Sequence, residues 1–153
     1  MFMEEFIHKS RETVVNTFKY EPSEVVVGVL RLTLGWIFLW SFLDKLLGLG
    51  FATTPENAWI VGGSPTYGYI NFATNPASPF AWIFSGSESI LGQMIPLLDI
   101  VFMGTLLIAG VTLILGIFVR IGSLVAIIFM LSVWAGAIPL ENNPIVDEHI
   151  VYT

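Results

Sequence analysis

Apolar residues run almost unbroken from Val25 to Leu49, with polar side chains only at Arg31, Thr33, Ser41, Asp44 and Lys45. About 25 residues of such sequence make a helix of roughly 37 Å, enough to cross a bilayer. A second apolar run covers 95–118, with Asp99 near its start. A third covers 121–138 and stops at Pro139, with Arg120 in the short link before it. The pattern predicts an all-α integral membrane helical bundle with three spans, at about 25–49, 95–118 and 121–138. Gly122/Ala126 and Ser132/Gly136 have the small-xxx-small spacing that lets helices approach closely, although ordinary use of small residues in membrane helices also produces it.

The segments between the runs read differently. In residues 1–22, Met3, Phe6, Ile7, Ser10, Val14 and Phe18 recur at helical spacing, with charged residues mostly on the other side. This predicts an amphipathic interfacial helix rather than a signal peptide. Pro22 before Ser23 marks a helix start. Residues 50–94 contain no Lys or Arg and are rich in Gly, Pro, Ser and aromatic residues. Aromatics at this density argue against a disordered linker. They predict an ordered cap on the membrane face, with short helical pieces near Pro55–Val61 and Pro65–Ala73 and a turn at Gly62-Gly63-Ser64-Pro65. In the tail, Asp147-Glu148-His149-Ile150-Val151-Tyr152 reads as the start of another helix.

Composition agrees with the pattern. Of 153 residues, 55% are hydrophobic and 12% charged, against about 25% charged in soluble domains. Mean hydropathy is +0.80. A net charge of −6 argues against nucleic-acid binding, and the absence of cysteine removes disulfide and thiolate chemistry from this chain. Lys9, Arg11 and Lys19 precede the first run and Arg120 joins the second to the third. The positive-inside rule therefore predicts a cytoplasmic N-terminus and an extracytoplasmic 50–94 loop in the cell membrane.

Charges within a span are costly and need partners. Arg31 and Lys45 share a helix face but lie roughly 21 Å apart along the axis. Asp44 points about 220° from Arg31 and does not face Lys45, so each needs a partner from another helix, the loop or water. Asp99 is the first choice for Lys45 and a tail acid the second.

Leu30-Arg31-Leu32-Thr33-Leu34-Gly35-Trp36-Ile37-Phe38-Leu39-Trp40 with Asp44-Lys45 resembles the first helix of the DoxX/DoxD membrane proteins. Gly48–Thr53, Ala58-Trp59-Ile60 and Gly62–Thr66 resemble the DoxD loop. Leu115-Gly116-Ile117 with Arg120, and Glu141–Pro144 with Asp147-Glu148-His149, extend the likeness over most of residues 25–152. It implies a four-span bundle, the last span absent here or supplied elsewhere. Three spans would leave either the Arg31 or the Asp44 face of the first helix to lipid, so a helix of another chain or a C-terminal segment is expected to fill the groove beside it. The likeness also implies the small membrane subunit of a thiosulfate:quinone oxidoreductase, with other membrane subunits as partners. The rival reading is a non-catalytic subunit that anchors a larger membrane complex.

Only His8 and His149 are histidines, and no acid or histidine cluster has metal-ligand spacing, so no metal site is expected and catalytic residues stay unassigned. Any redox cofactor is a quinone or belongs to a partner. Asp44, Lys45, Asp99 and His149 fall near the outer side and form the candidate polar site. It is either an anion or quinone headgroup site with Lys45 as the contact, or a salt-bridge network locking the cap to the bundle. Arg31 lies in the inner half as a candidate headgroup or partner contact.

Overall fold

The computed structural model describes residues 3–5, 22–140 and 148–152. The amphipathic helix expected over 1–22 therefore lies almost entirely outside the described residues, as do Glu141–Asp147 of the tail. Among the described residues all regular structure is helical. Three helices are long and apolar enough to cross a membrane, over Ser23–Leu47, Gly92–Leu115 and Val119–Ala137.

The helix ends follow from local backbone chemistry. The first long helix runs Pro22–Leu47, two residues short of the expected end. Gly48 takes a left-handed φ of 65° and its N–H returns to the Asp44 carbonyl at 2.8 Å. The second long helix, Ile95–Leu115, stops where Gly116 adopts φ 71° and donates to the Thr112 carbonyl. Both are glycine C-terminal stops. Phe118 then takes a left-handed conformation, and the third long helix begins at Val119 and ends at Ala137. Arg120 thus sits in the first turn of that helix, exposed, rather than in the link itself.

The chain divides into two compact units, Met1–Arg31 and Leu32–Thr153. In the first, Val25, Val26, Val27, Val29 and Leu30 are all exposed, as suits side chains whose solvent is lipid. The second has a core of Phe38, Met103, Leu106, Ala109, Leu113 and Ala126. Phe129 meets Phe38 and Phe102 edge-on there, with ring centroids 6.5 and 5.2 Å away. The first and second long helices come close at two glycines. A Cβ on Gly110 would lie 2.8 Å from the Leu39 backbone nitrogen, and one on Gly35 would lie 2.9 Å from Ile114.

Residues 50–94 form short helical turns, including Pro55–Asn57, Trp59–Val61, Pro65–Gly68 and Ala81–Phe84. The turn at Gly62-Gly63 needs glycine twice over. Gly62 has φ 96°, and a Cβ on Gly63 would run into the Asn57 carbonyl. The cap is stitched to the C-terminal end of the third long helix, whose last carbonyls have no intrahelical partner. Tyr69 Oη donates to the Val133 carbonyl (3.1 Å), Ser78 Oγ to Ala135 (3.1 Å) and the Asn75 N–H to Gly136 (2.9 Å). At Ala135 and Gly136 the cap supplies donors that neither the helix nor lipid can provide.

Candidate functional site

Asp44 is buried at 2% exposure, one turn before the end of the first long helix. Its partners come from the loop immediately after that helix. The Phe51 N–H donates to Oδ1 at 3.2 Å and the Ala52 N–H to Oδ2 at 3.0 Å. Each carboxylate oxygen therefore holds one backbone amide of the reversing chain. The Phe51 ring meets Trp40 edge-on at 5.2 Å, closing the same turn.

Asp99 is also buried, at 7% exposure, in the second turn of the second long helix. Among the described residues all its hydrogen bonds reach one oxygen. Ser64 Oγ and the Thr66 N–H donate to Oδ1 at 2.9 Å each, and Thr66 Oγ1 donates to the same atom. Ser64 also caps the short helix Pro65–Gly68, accepting from the Tyr67 N–H. Asp99 thus fastens the middle of the cap to the bundle, as Asp44 fastens its beginning.

The expected pairing of Lys45 with Asp99 is not what the structure contains. Two hydroxyls and an amide occupy Asp99, and no carboxylate among the described residues forms an ion pair with Lys45. Asp44 attracts the ammonium only through space. Lys45 Nζ instead lies 5.9 Å from the centroid of the Phe102 ring. This is at the outer edge of a useful cation–π contact. His149 falls in a helical turn, Glu148–Val151, that packs against the third long helix; its side chain is outside the described set. Arg31 is the last residue of the other unit, and its Nε is buried with no hydrogen-bond partner among the described residues.

Lys45 opens onto a cavity of about 730 Å³ beneath the cap. Ile37, Phe38 and Ser41 of the first long helix form one wall, Phe102 and Leu106 of the second another, and Phe129, Met130 and Val133 of the third another. The cap contributes Thr53, Thr54, Asn57, Ser64, Tyr67, Tyr69 and Phe72. Among the described residues Lys45 is the only charged group in the lining. A second, more apolar groove of about 540 Å³ lies between the second and third long helices and shares Tyr69, Phe102, Phe129 and Val133 with the first. Among the described residues no three His, Asp or Glu side chains come together as a metal site would require.

Of the sequence-derived candidates, the structure joins Asp44, Lys45 and Asp99 to one cap-and-bundle junction, but only Lys45 reaches the cavity. Ser41, Tyr69, Phe102 and Phe129 are lining residues that the sequence did not single out. A partial signal existed: Ser41 lies four residues before Lys45, on the same face of the first helix.

Tyr69 links the cap, the cavity and the third helix. Burial pushes its hydroxyl from the usual 10 up to about 12. The folded protein therefore favours the neutral, donating form. That contribution to stability is complete below pH 10 and disappears as pH rises towards 12. A spectroscopic titration of tyrosinate should show one late-ionising tyrosine that is absent in Tyr69→Phe. If the titration curves of the two proteins differ only in amplitude at the normal midpoint, Tyr69 is not buried in this way.

Comparison with protein-family models, curated proteins and solved structures finds no match for this chain.

Proposed function

We propose that the chain is a membrane subunit of a quinone-linked oxidoreductase, similar to the DoxD subunit of thiosulfate:quinone oxidoreductase. The observation that carries this reading is the cavity beneath the cap, which sets one cation and several hydroxyls among aromatic rings. Its volume is in the range of organic ligand sites, and its mixture of apolar walls with a few polar groups is the usual composition of such sites. A quinone ring fits this donor set. Phe102 and Phe129 would flank it, while Lys45 and Ser41 would hydrogen-bond its oxygens. When bound, a quinone supplies the capacity to accept two electrons; the chain's own residues supply position and charge.

The test is turnover by the complex purified intact from its native membrane. Thiosulfate should drive reduction of a quinone analogue. Lys45→Met should lower that rate roughly tenfold or more, since a hydrogen bond to a charged group contributes about 1.5–3 kcal/mol. An intact complex without thiosulfate-dependent quinone reduction favours the rival, a non-catalytic subunit that anchors other chains. That rival draws on a specific observation: Asp44 and Asp99 are both committed to holding the cap.

The orientation belongs to the same proposal. The Lys/Arg asymmetry puts the N-terminus in the cytoplasm and the cap outside. A membrane-impermeant thiol reagent on intact cells should label a cysteine placed at Ser64 and spare one at Ser10; the reverse result inverts the topology.

A further inference from the structure

Lys45 is a cation without a counter-ion in the described structure. Asp44, its neighbour in sequence, is engaged by the Phe51 and Ala52 amides, and Asp99, the partner expected for it, by Ser64 and Thr66. No carboxylate among the described residues lines the cavity that Lys45 faces, although the chain as a whole carries a net charge of −6; Glu141 and Asp147 of the tail lie outside the described residues. A lone ammonium among apolar side chains is costly, and the Phe102 ring at 5.9 Å offsets little of that cost. Ser41 and Thr53 add hydroxyl donors to the same lining. Among the described residues the lining offers hydroxyl donors, no acid and one cation without an ion-pair partner, and such a lining selects for negative charge.

Size and shape restrict the ligand further. A bare oxyanion would leave most of about 730 Å³ unfilled. The aromatic rings of Tyr67, Phe72, Phe102 and Phe129 present flat apolar surface around the polar groups. A neutral ring would use the walls and could accept a hydrogen bond from Lys45 but would leave the ammonium without a counter-charge; a simple acid would supply the charge and leave the walls unused.

We propose that this cavity takes its ligand as an anion, a planar organic molecule whose ionised oxygen meets the Lys45 ammonium between the aromatic walls. The proposal rests on reading the cavity as the ligand site of the proposed function, and it does not depend on electron transfer.

Matched probes test it. The ring compound 2-hydroxy-1,4-naphthoquinone is an anion at neutral pH, and its parent 1,4-naphthoquinone is neutral with nearly the same shape. Calorimetric titration of the detergent-solubilised full chain should show the anion binding at least tenfold more tightly. Lys45→Met should erase that preference while still admitting the neutral ring, and Lys45→Arg should keep it. Equal affinities in the unaltered protein, or a preference that survives Lys45→Met, overturns the proposal. The unaltered protein's own ratio decides the matter if Lys45→Met does not fold. An acidic phospholipid in the micelle, such as phosphatidylglycerol, should fail to displace the ring anion; displacement would assign Lys45 to lipid headgroups and overturn the proposal. Anion preference without thiosulfate-driven turnover would sink the oxidoreductase reading alone. Turnover without anion preference would sink this assignment alone.

Discussion

Asp99→Ala should detach the cap from the bundle, whereas Asp99→Asn should leave it nearly intact. Three donors converge on a single carboxylate oxygen of Asp99. An asparagine carbonyl occupies the same place and accepts from the same groups, losing only the charge. Alanine leaves the Thr66 N–H with no acceptor in a buried position, at about 1–3 kcal/mol for that group alone, before the two hydroxyls are counted. Asp44 should respond differently, because its two amide donors go to different oxygens. Asparagine there must turn its NH₂ group towards one of the N–H donors, which replaces an attraction by a repulsion. Asp44→Asn should therefore destabilise more than Asp99→Asn. Thermal unfolding in one detergent, with limited proteolysis of 50–94 as a readout of cap release, orders the variants. An Asp99→Ala protein that melts with the unaltered one, or an Asp44→Asn protein milder than Asp99→Asn, contradicts these assignments.

The three helices long and apolar enough to span a membrane were legible because apolar runs of their length have few other uses. Their ends moved by a few residues, since a glycine such as Gly48 or Gly116 can stop a helix only where its carbonyls and amides find the right closing bonds. The separation of Asp44 from Lys45 was also legible, because adjacent residues on a helix diverge. So was the need of Asp44 for a partner from elsewhere; the loop residues Phe51 and Ala52 meet it. The pairing of Asp99 was not legible. An acid near a lysine suggests an ion pair, but the fold of a loop rich in Ser and Thr decides whether hydroxyls and amides reach it first. Ser64 and Thr66 do, from 35 and 33 residues away in sequence. The cavity was hidden for the same reason. Phe102 and Phe129 look like ordinary span residues until the helices are set side by side. Trp36 illustrates the converse, a large ring in the family-like motif that is 53% exposed and turned away from any core.

Gly110→Val should separate the first and second long helices and cost more than any change on the exposed faces. The small-residue pairs visible by spacing lie on the third helix. There Gly122 and Ala126 are buried, while Ser132 is exposed and bonds back to its own helix at Ile128. The contact between the first two helices instead rests on single glycines, one from each side. At Gly110 the space a Cβ needs is taken by backbone, with Leu39 N at 2.8 Å and Leu39 Cα at 2.9 Å. Backbone cannot rotate away as a side-chain tip can, so relief requires the helices to move apart. That movement opens the core around Phe38, Ala109 and Leu113 and widens the wall that carries Lys45. Overpacking of this kind costs about 1–3 kcal/mol, and a branched side chain falls towards the upper end. Gly104→Val is the control on the same helix, because a Cβ there meets nothing within 4 Å. Thermal unfolding in detergent should show a large drop for Gly110→Val and almost none for Gly104→Val. Equal melting of the two variants would mean that the close approach at Leu39 does not exist in the membrane-embedded protein.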